Sequence, residues 1–239
     1  MIGLMGALEE EIDLFRSYAE IEKEYRFAGM DFYRGTIDEE PVVIVQCGVG
    51  KVNAAISTQI LIDRFDVDSV LLTGLAGSLV PYLQQGDIVA ANYLVQHDVD
   101  LTAFGRRPGE LPSVGRMIET DPGMLKRMND AYDAVYGEQP NRPQLVVGTI
   151  ISGDKFVSEK KMIASLQREF GAVGTEMEGA AVAHVCQLNT VPFLVICTIS
   201  DDSSSHATGQ FKVSLENAPI NVFAMIRHFI GIENLQTVG

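Results

Sequence analysis

Val191-Pro192-Phe193-Leu194-Val195-Ile196-Cys197-Thr198-Ile199-Ser200 is apolar over nearly its whole length and runs straight into Asp201-Asp202. A run of this kind reads as a strand buried on both faces, in a sheet with helices packed above and below it. Outward from it the pattern recurs. Ile2–Leu8, Pro41–Cys47, Ser69–Thr73, Gly86–Val95 and Gln144–Ser152 are short and largely apolar. Between them lie segments with apolar residues at helical spacing: Leu8, Ile12 and Phe15 around Glu9–Tyr18, and Val52, Ala55, Ile56, Ile60 and Leu61 within Lys51–Phe65. Asp121–Tyr136, Glu159–Phe170, Glu178–Cys186 and Phe211–Ile230 read as further helices, and Tyr25–Ile37 as one more strand. Alternating strands and helices predict an α/β fold around a mostly parallel sheet covered on both faces. Ligands of such sheets gather at the carboxyl ends of the strands, which selects the positions following Leu8, Cys47, Thr73, Ser152, Thr175 and Ser200.

The chain has 239 residues, 46% hydrophobic and 21% charged, enough to bury a core without a metal or disulfide staple. No low-complexity tract, charge block or Pro/Gly/Ser linker divides it, so a single domain over residues 1–239 is expected. Its 18 Lys and Arg stand against 32 Asp and Glu, a formal charge of −14. A surface this negative repels phosphate backbones and anionic lipid. Nucleic acid and membrane are therefore poor partners, and a neutral or zwitterionic small molecule a better one. Cys47, Cys186 and Cys197 show no C-x-x-C spacing and sit in apolar surroundings, so they read as buried thiols. The apolar run Met1–Leu8 is too short for a signal sequence and lacks a basic flank. No other stretch approaches the ~20 apolar residues of a membrane span, and a cytoplasmic location is expected.

Two glycine-rich stretches follow predicted strands. Cys47-Gly48-Val49-Gly50-Lys51-Val52-Asn53 begins like a dinucleotide loop, but Asn53 stands at the third glycine position, and Val52 after Gly50-Lys51 excludes a phosphate loop. Thr73-Gly74-Leu75-Ala76-Gly77-Ser78 is the second, and glycines in such turns let backbone approach a ligand closely. The acids say more. Glu9-Glu10-Glu11 opens a helix, where capping and solvation account for most of the run, yet its place after the first strand brings one carboxylate to the expected cleft. Glu176 and Glu178 flank Met177 at a strand-to-helix junction, and Asp201 ends a buried strand, where desolvation raises an acid's pKa. Three separated carboxylates converging on one cleft suit cleavage of a glycosidic bond: one protonates the leaving group, one activates water, and the negative field steadies an oxocarbenium-like transition state. His97-Asp98-Val99-Asp100 matches no usual metal-ligand spacing and reads as a structural loop, and His184 as a core histidine. Ser200, Asp201 and His206 could compose a triad, but no nucleophile elbow supports one.

These residues fall into ordered blocks. They are Gly6-Ala7-Leu8-Glu9-Glu10-Glu11, Gly48-Val49-Gly50-Lys51-Val52-Asn53-Ala54-Ala55, Thr73-Gly74 through Gly77, and His97 through Gly105. Ser152-Gly153-Asp154-Lys155-Phe156-Val157, Glu176-Met177-Glu178 and Ile199-Ser200-Asp201 complete the series. Over nearly the whole chain it resembles the bacterial 5′-methylthioadenosine/S-adenosylhomocysteine nucleosidases of the purine nucleoside phosphorylase superfamily. The resemblance implies a three-layer α/β/α sandwich around a central mixed β-sheet, usually homodimeric, and no cofactor. The implied activity is hydrolysis of the N-glycosidic bond of 5′-methylthioadenosine and S-adenosylhomocysteine, with 5′-deoxyadenosine a further candidate. Asp201 would then protonate the purine at N7, Glu11 would deprotonate the attacking water, and Glu178, with Met177, would hold the ribose hydroxyls. Phe156 would stack on the base, the backbone of Val157 would read its edge, and Ser200 would orient Asp201. Ala76 and Gly77 would line base and sugar. Leu8, Val49, Met177 and Phe211 resemble the pocket for the 5′-alkylthio group, and Phe104 and Pro112 a segment lent by the partner subunit.

Two positions depart from the family pattern. Cys197 stands where an Arg usually precedes the catalytic Asp by four residues, and Leu75 stands where Ser is common. Losing a hydrogen bond to a charged group costs about 1.5–3 kcal/mol. Both losses fall on the water side, so slower hydrolysis or a shifted substrate preference is expected. Three alternatives stay open. A phosphorolytic relative would want cations at the cleft, where Cys197 removes the obvious one and Arg106 and Arg107 offer no clear replacement. An aminodeoxyfutalosine hydrolase would share the adenine side. A non-catalytic nucleoside-binding module would have no need for Glu11, Glu178 and Asp201 together.

Overall fold

The computed structural model describes residues 1–137, 139–201 and 221–231. Its elements are β1 (Ile2–Gly6), α1 (Glu9–Tyr18), β2 (Glu20–Phe27), β3 (Met30–Ile37), β4 (Glu40–Gln46), α2 (Lys51–Phe65), β5 (Ser69–Ser78) and β6 (Ile88–Gln96). They continue through a short helical turn at Thr102–Phe104 to β7 (Ile118–Glu119), α3 (Pro122–Tyr136), β8 (Leu145–Ser152), α4 (Lys160–Phe170), β9 (Gly174–Glu176), α5 (Gly179–Asn189) and β10 (Phe193–Asp201). A last helix, α6, runs through residues 221–231. The local signals behave as their chemistry requires. Pro122 opens α3, where its missing N–H costs nothing, and the Asp121 side chain caps the helix by accepting from Met124 N at 2.8 Å.

Period-two alternation along the strands sorts the core into two layers. Met5, Val43, Val45, Val70, Leu72 and Val195 pack with Ala54 and Leu61 of α2 and Ala183 and Cys186 of α5. Their neighbours Leu4, Val42, Ile44, Leu71, Leu194 and Ile196 pack with Phe15 of α1, Met128 of α3 and Phe229 of α6. Each of these strands is thus apolar on both faces, and the result is helices on either side of a mixed sheet. All three cysteines are buried and free. Among the described residues no helix is long and apolar enough to cross a membrane.

The sheet runs β2-β3-β4-β1-β5, and then β5 pairs with both β10 and β9. The path β10-β6-β8-β9 returns to β5, so five strands close into a ring. The joins β1–β4, β1–β5, β5–β10, β6–β8 and β8–β9 are parallel, whereas β2–β3, β3–β4, β6–β10 and β5–β9 are antiparallel. The expectation of a mostly parallel sheet therefore gives way to a mixed one. Strands of the ring are buried whichever way they run, so their sequences carry no mark of direction.

Two element readings change in the same way. Tyr25–Ile37 is the greater part of a hairpin, β2 turning into β3 through Ala28 (φ +50°) and Gly29 (φ +83°). Both turn positions are left-handed, as a tight two-residue hairpin requires, and aromatic residues on each side hide the turn from pattern reading. Nor does the fifth strand end at Thr73. Pairing with β10 carries it across both glycines to Gly77, and β9 takes it on to Ser78. On the other edge of β5, β1 accompanies Ser69–Leu72 and β9 arrives only at Gly77 and Ser78. Residues 73–76 are left with no strand on that edge, and the sheet parts there.

Candidate active site

The parting of the sheet opens into a cleft with about 570 Å³ of atom-free space, part of it open to solvent. Its walls come from the ends of β1, β4, β8, β9 and β10, as the strand-end rule requires. Glu11, Glu178 and Asp201 all line it, with the apolar Leu8, Val49, Phe156, Val157 and Met177 and the small Gly77 and Ser200.

Glu11 sits on the first turn of α1, with Glu9 and Glu10 turned to solvent and Glu11 buried. Leu8 at the N-cap has no side-chain oxygen to offer, and the carboxylate of Glu11 does the capping. Its Oε2 accepts from Ala7 N at 2.7 Å and Leu8 N at 2.9 Å, and its Oε1 accepts from Leu75 N at 3.0 Å. That last N–H belongs to the strand-free edge of β5. Burial pushes the Glu11 carboxyl up to about 7 against these three donors, with the nearby charge of Glu176 adding to the rise. An acid poised there exchanges protons at neutral pH, the property a general base needs.

Glu178 is the N-cap residue of α5, and its Oε1 accepts from Gly50 N at 2.6 Å. The glycine-rich stretch after β4 thus turns one backbone donor toward a cleft carboxylate. Gly50 has φ +100°, a conformation that favours glycine there. Burial first, and the charge of Glu176 second, push the Glu178 carboxyl up to about 8.

Asp201 closes β10 and is 2% exposed. The β10 ladder is irregular between Ile199 and Asp201, and Ser200 Oγ lies 2.8 Å from Asp201 Oδ2 and 3.3 Å from the Ala76 carbonyl oxygen. Ala76, whose backbone is expected with that of Gly77 to line base and sugar, is buried in β5, and its carbonyl oxygen meets Ser200 Oγ. The two glycines of β5 explain themselves here. A Cβ on Gly74 would lie 3.1 Å from Glu11 Oε1, and one on Gly77 would lie 3.3 Å from Asp201 Oδ2. These glycines make room for the protein's own acids. About 10 Å of strand separates them, so the two carboxylates stand at different ends of the cleft.

The loops around the cleft are tied together. Lys51 N donates to Asp154 Oδ1 at 2.8 Å, Asp154 N donates to Asp98 Oδ2 at 3.0 Å, and Lys51 Nζ lies 2.5 Å from Asp98 Oδ1. His97 is pressed against Gly153, where a Cβ would collide with the imidazole, and burial holds its pKa down. The loop reading of His97-Asp98 therefore acquires a purpose. It holds the segment that carries Phe156 and Val157. His184, half-buried, has its Nδ1 3.0 Å from Gln96 Nε2.

Phe104 and Pro112 do not reach this chain's cleft. Phe104 is 83% exposed, and Pro112 lies in the exposed turn closed by the Leu111–Gly115 bridge. Phe211, Asp202 and His206 lie outside the described residues. Leu75 lines the cleft and Cys197 is buried in β10 opposite Gly74, its thiol pushed well up by burial and by Glu176, Glu11 and Glu178. Lys155 is the one cation among the described lining residues. Glu176, conspicuous in the sequence but without a task there, also lines the cleft and is 8% exposed. Its signal was its place two residues before Glu178. Ser152, its register partner across β8–β9, could not be matched to it before the strands were paired.

The arrangement offers a proton acceptor poised near neutrality, a second buried carboxyl beside a backbone donor, and a third acid across the cleft next to a hydroxyl. Comparison with known proteins agrees with that chemistry. The Phosphorylase superfamily matches residues 1–231. A relative from Exiguobacterium sp., named 5′-methylthioadenosine/S-adenosylhomocysteine nucleosidase, is 36% identical over 228 residues, 94% of this chain and 95% of the relative. The nucleosidase of the same name from Colwellia psychrerythraea 34H, solved in complex with adenine, superposes with a TM-score of 0.91 at 35% identity, covering 96% of this chain and 94% of that one. A futalosine hydrolase of Helicobacter pylori strain 26695 superposes at 0.90 with 33% identity, covering 97% of each chain.

Proposed function

Since this chain belongs to the phosphorylase superfamily and, within it, to the 5′-methylthioadenosine/S-adenosylhomocysteine nucleosidases, we propose that Glu11, Glu178 and Asp201 are the acids through which it works. The reaction is hydrolysis of the N-glycosidic bond of 5′-methylthioadenosine and S-adenosylhomocysteine, releasing adenine and the 5-thioribose product. Asp201, oriented by Ser200, gives a proton to N7 as the C1′–N9 bond breaks and its electron pair passes to the purine. Glu11 takes a proton from the water whose oxygen bonds to C1′. Glu178, with Met177, holds the ribose hydroxyls, and the negative field steadies the cationic sugar between. Phe156 and Val157 bind the base, the backbone at Ala76 and Gly77 lines base and sugar, and Leu8, Val49 and Met177 receive the 5′ substituent. The observation that carries this reading is the convergence of three buried acids from separate strand ends on one cleft.

Phosphorolysis fits the cleft poorly. With Glu176 ionised, Glu11 partly so, and Lys155 as the one lining cation described, an anionic nucleophile meets repulsion where water does not. Adenine release from 5′-methylthioadenosine, followed with and without phosphate, tests the assignment. The same rate in both is expected, and a requirement for phosphate would overturn it. Aminodeoxyfutalosine in the same assay measures how far the likeness to the Helicobacter pylori hydrolase extends.

The whole chain acts as one nucleosidase domain in a cytoplasmic homodimer of methionine salvage, with Phe104 and Pro112 completing the partner's site. The exposed side chains of Phe104, Val52, Ile56 and Leu188 support an apolar contact between copies. Sedimentation that gives a monomer at micromolar concentration would exclude the dimer.

A further inference from the structure

Among the buried acids of the cleft, Glu176 has no task in the hydrolysis above, yet it is held by three donors, as many as Glu11 has. Its Oε2 accepts from Glu178 N at 2.8 Å and Gly179 N at 2.7 Å, the first donors of α5. Its Oε1 takes a short hydrogen bond from the Ser152 hydroxyl. Ser152 Oγ itself accepts from Ala180 N at 2.7 Å, which leaves the hydroxyl proton for Glu176. We propose that Glu176 is a positioning residue for Glu178: it pins the backbone at Glu178 to the start of α5 and, as the fixed negative charge of the pair, decides when Glu178 ionises. The inference rests on the reading of Glu178 as the carboxylate that holds the ribose.

Burial disfavours charge on both residues, so the surrounding donors decide which of them ionises first. Glu176 has three donors, two of them at a helix N-terminus, where a carboxylate is favoured. Glu178 has two backbone donors, Gly50 N and Met177 N, neither of them among the first donors of α5. The first negative charge therefore settles on Glu176, and it resists ionisation of Glu178 next to it. The remaining groups facing Glu178 do not reverse this. Glu11 of α1 adds repulsion, and the thiols of Cys47 beyond β4 and Cys197 in β10 are pushed far up and stay neutral. Asp201 and Lys155 line the same cleft. At neutral pH in the empty site, the proton of the pair sits on Glu178, and capture of the ribose hydroxyls improves as pH rises and that proton leaves.

The test is the pH dependence of kcat and of KM for adenine release from 5′-methylthioadenosine, measured on the wild type and on Glu176→Gln, a near-isosteric change that removes the charge. The ascending limb is read in 1/KM, which reports ribose capture at Glu178, apart from kcat, whose limb also carries the proton taken up by Glu11 beside the same charge. In 1/KM it is expected to move to lower pH, by about one pH unit or more, since a like charge has been removed. A folded variant with activity reduced at every pH and its limb unmoved would overturn the proposal and leave Glu176 a plain structural residue. Should Glu176→Gln fail to fold, Ser152→Ala decides. It weakens the hold on the Glu176 charge and should move the limb in the same direction by less, and an unmoved limb would again overturn the proposal. A wild type that releases no adenine removes the functional reading and this inference with it. An active wild type with fixed limbs in both variants removes the inference alone.

Discussion

At Asp38, Arg227 reaches both carboxylate oxygens and the Tyr18 hydroxyl donates at 2.9 Å; the paired guanidinium holds this acid below the ordinary carboxylate range. At Glu11 three backbone donors surround an equally well-bonded carboxylate, yet burial carries it up to about 7. The difference lies in water and in cations. Asp38 and Arg227 keep 36% and 45% of their side chains exposed, so solvent and a counter-charge stabilise the ionised form. Glu11, Glu176 and Glu178 line the cleft nearly out of reach of solvent, and Cys197 of β10 beside them is a neutral thiol and not a cation. One cluster stays ionised toward solvent, and the other holds protons that exchange near neutral pH.

The sharpest break in that comparison comes from the third cleft acid. Asp201→Asn should lower adenine release by about 10²–10⁴-fold while leaving nucleoside binding by calorimetry in place. A variant that retained a near-normal rate would mean the proton reaches the base by another route. Next comes an attempt to make the buried cluster resemble the exposed one. Cys197→Arg brings a cation toward Glu11, Glu176 and Glu178, and should pull the Glu11 carboxyl below about 7. Hydrolysis near pH 6 should then quicken by up to about tenfold, because more of the Glu11 carboxyl would already be ionised there. No gain in rate would count against the view that this position limits water activation.

A smaller effect is expected in stability. Glu11 and Glu178 hold protons more tightly folded than unfolded, with values near 7 and 8 against 4.5. The stability this brings is fully present below 4.5 and is lost as pH rises through the folded values. His97 and His184, held below 6.5 by burial, act the other way, costing stability only as pH falls below 6.5. Above 6.5 the acids decide, and the buried thiols act in the same direction only above about 9. The Tm of the ligand-free protein should therefore fall by a few degrees between pH 6.5 and about pH 8.5. A flat or rising Tm there would deny that the two carboxyls are raised. Least of all should change at the exposed cluster. Arg227→Ala is expected to leave turnover intact and to move Tm by less than about 2–4 °C.

The sequence shows these two clusters unequally. The unbroken apolar run ending at Asp201, the helix opened by Glu11 and the junction at Glu178 were all legible, because burial on both faces and the strand-end rule are local signals. Ring closure was not, since an apolar strand reads alike whether its neighbour is parallel or antiparallel. The continuation of β5 across Gly74 and Gly77 was hidden for a related reason. Two glycines suggest a turn until a neighbouring strand supplies hydrogen bonds across them, and the close approach they permit proves to be that of Glu11 and Asp201. Glu176 stayed unassigned because its anchor, Ser152, lies 24 residues away and meets it only through strand register.

The most direct test of the central claim is to incubate the protein with 5′-methylthioadenosine in ¹⁸O-labelled water and analyse the products by mass spectrometry. The account predicts unlabelled adenine and methylthioribose carrying one ¹⁸O atom from attack of water at C1′, formed equally with and without phosphate. Methylthioribose 1-phosphate appearing in phosphate buffer, or bound nucleoside recovered intact, would contradict it.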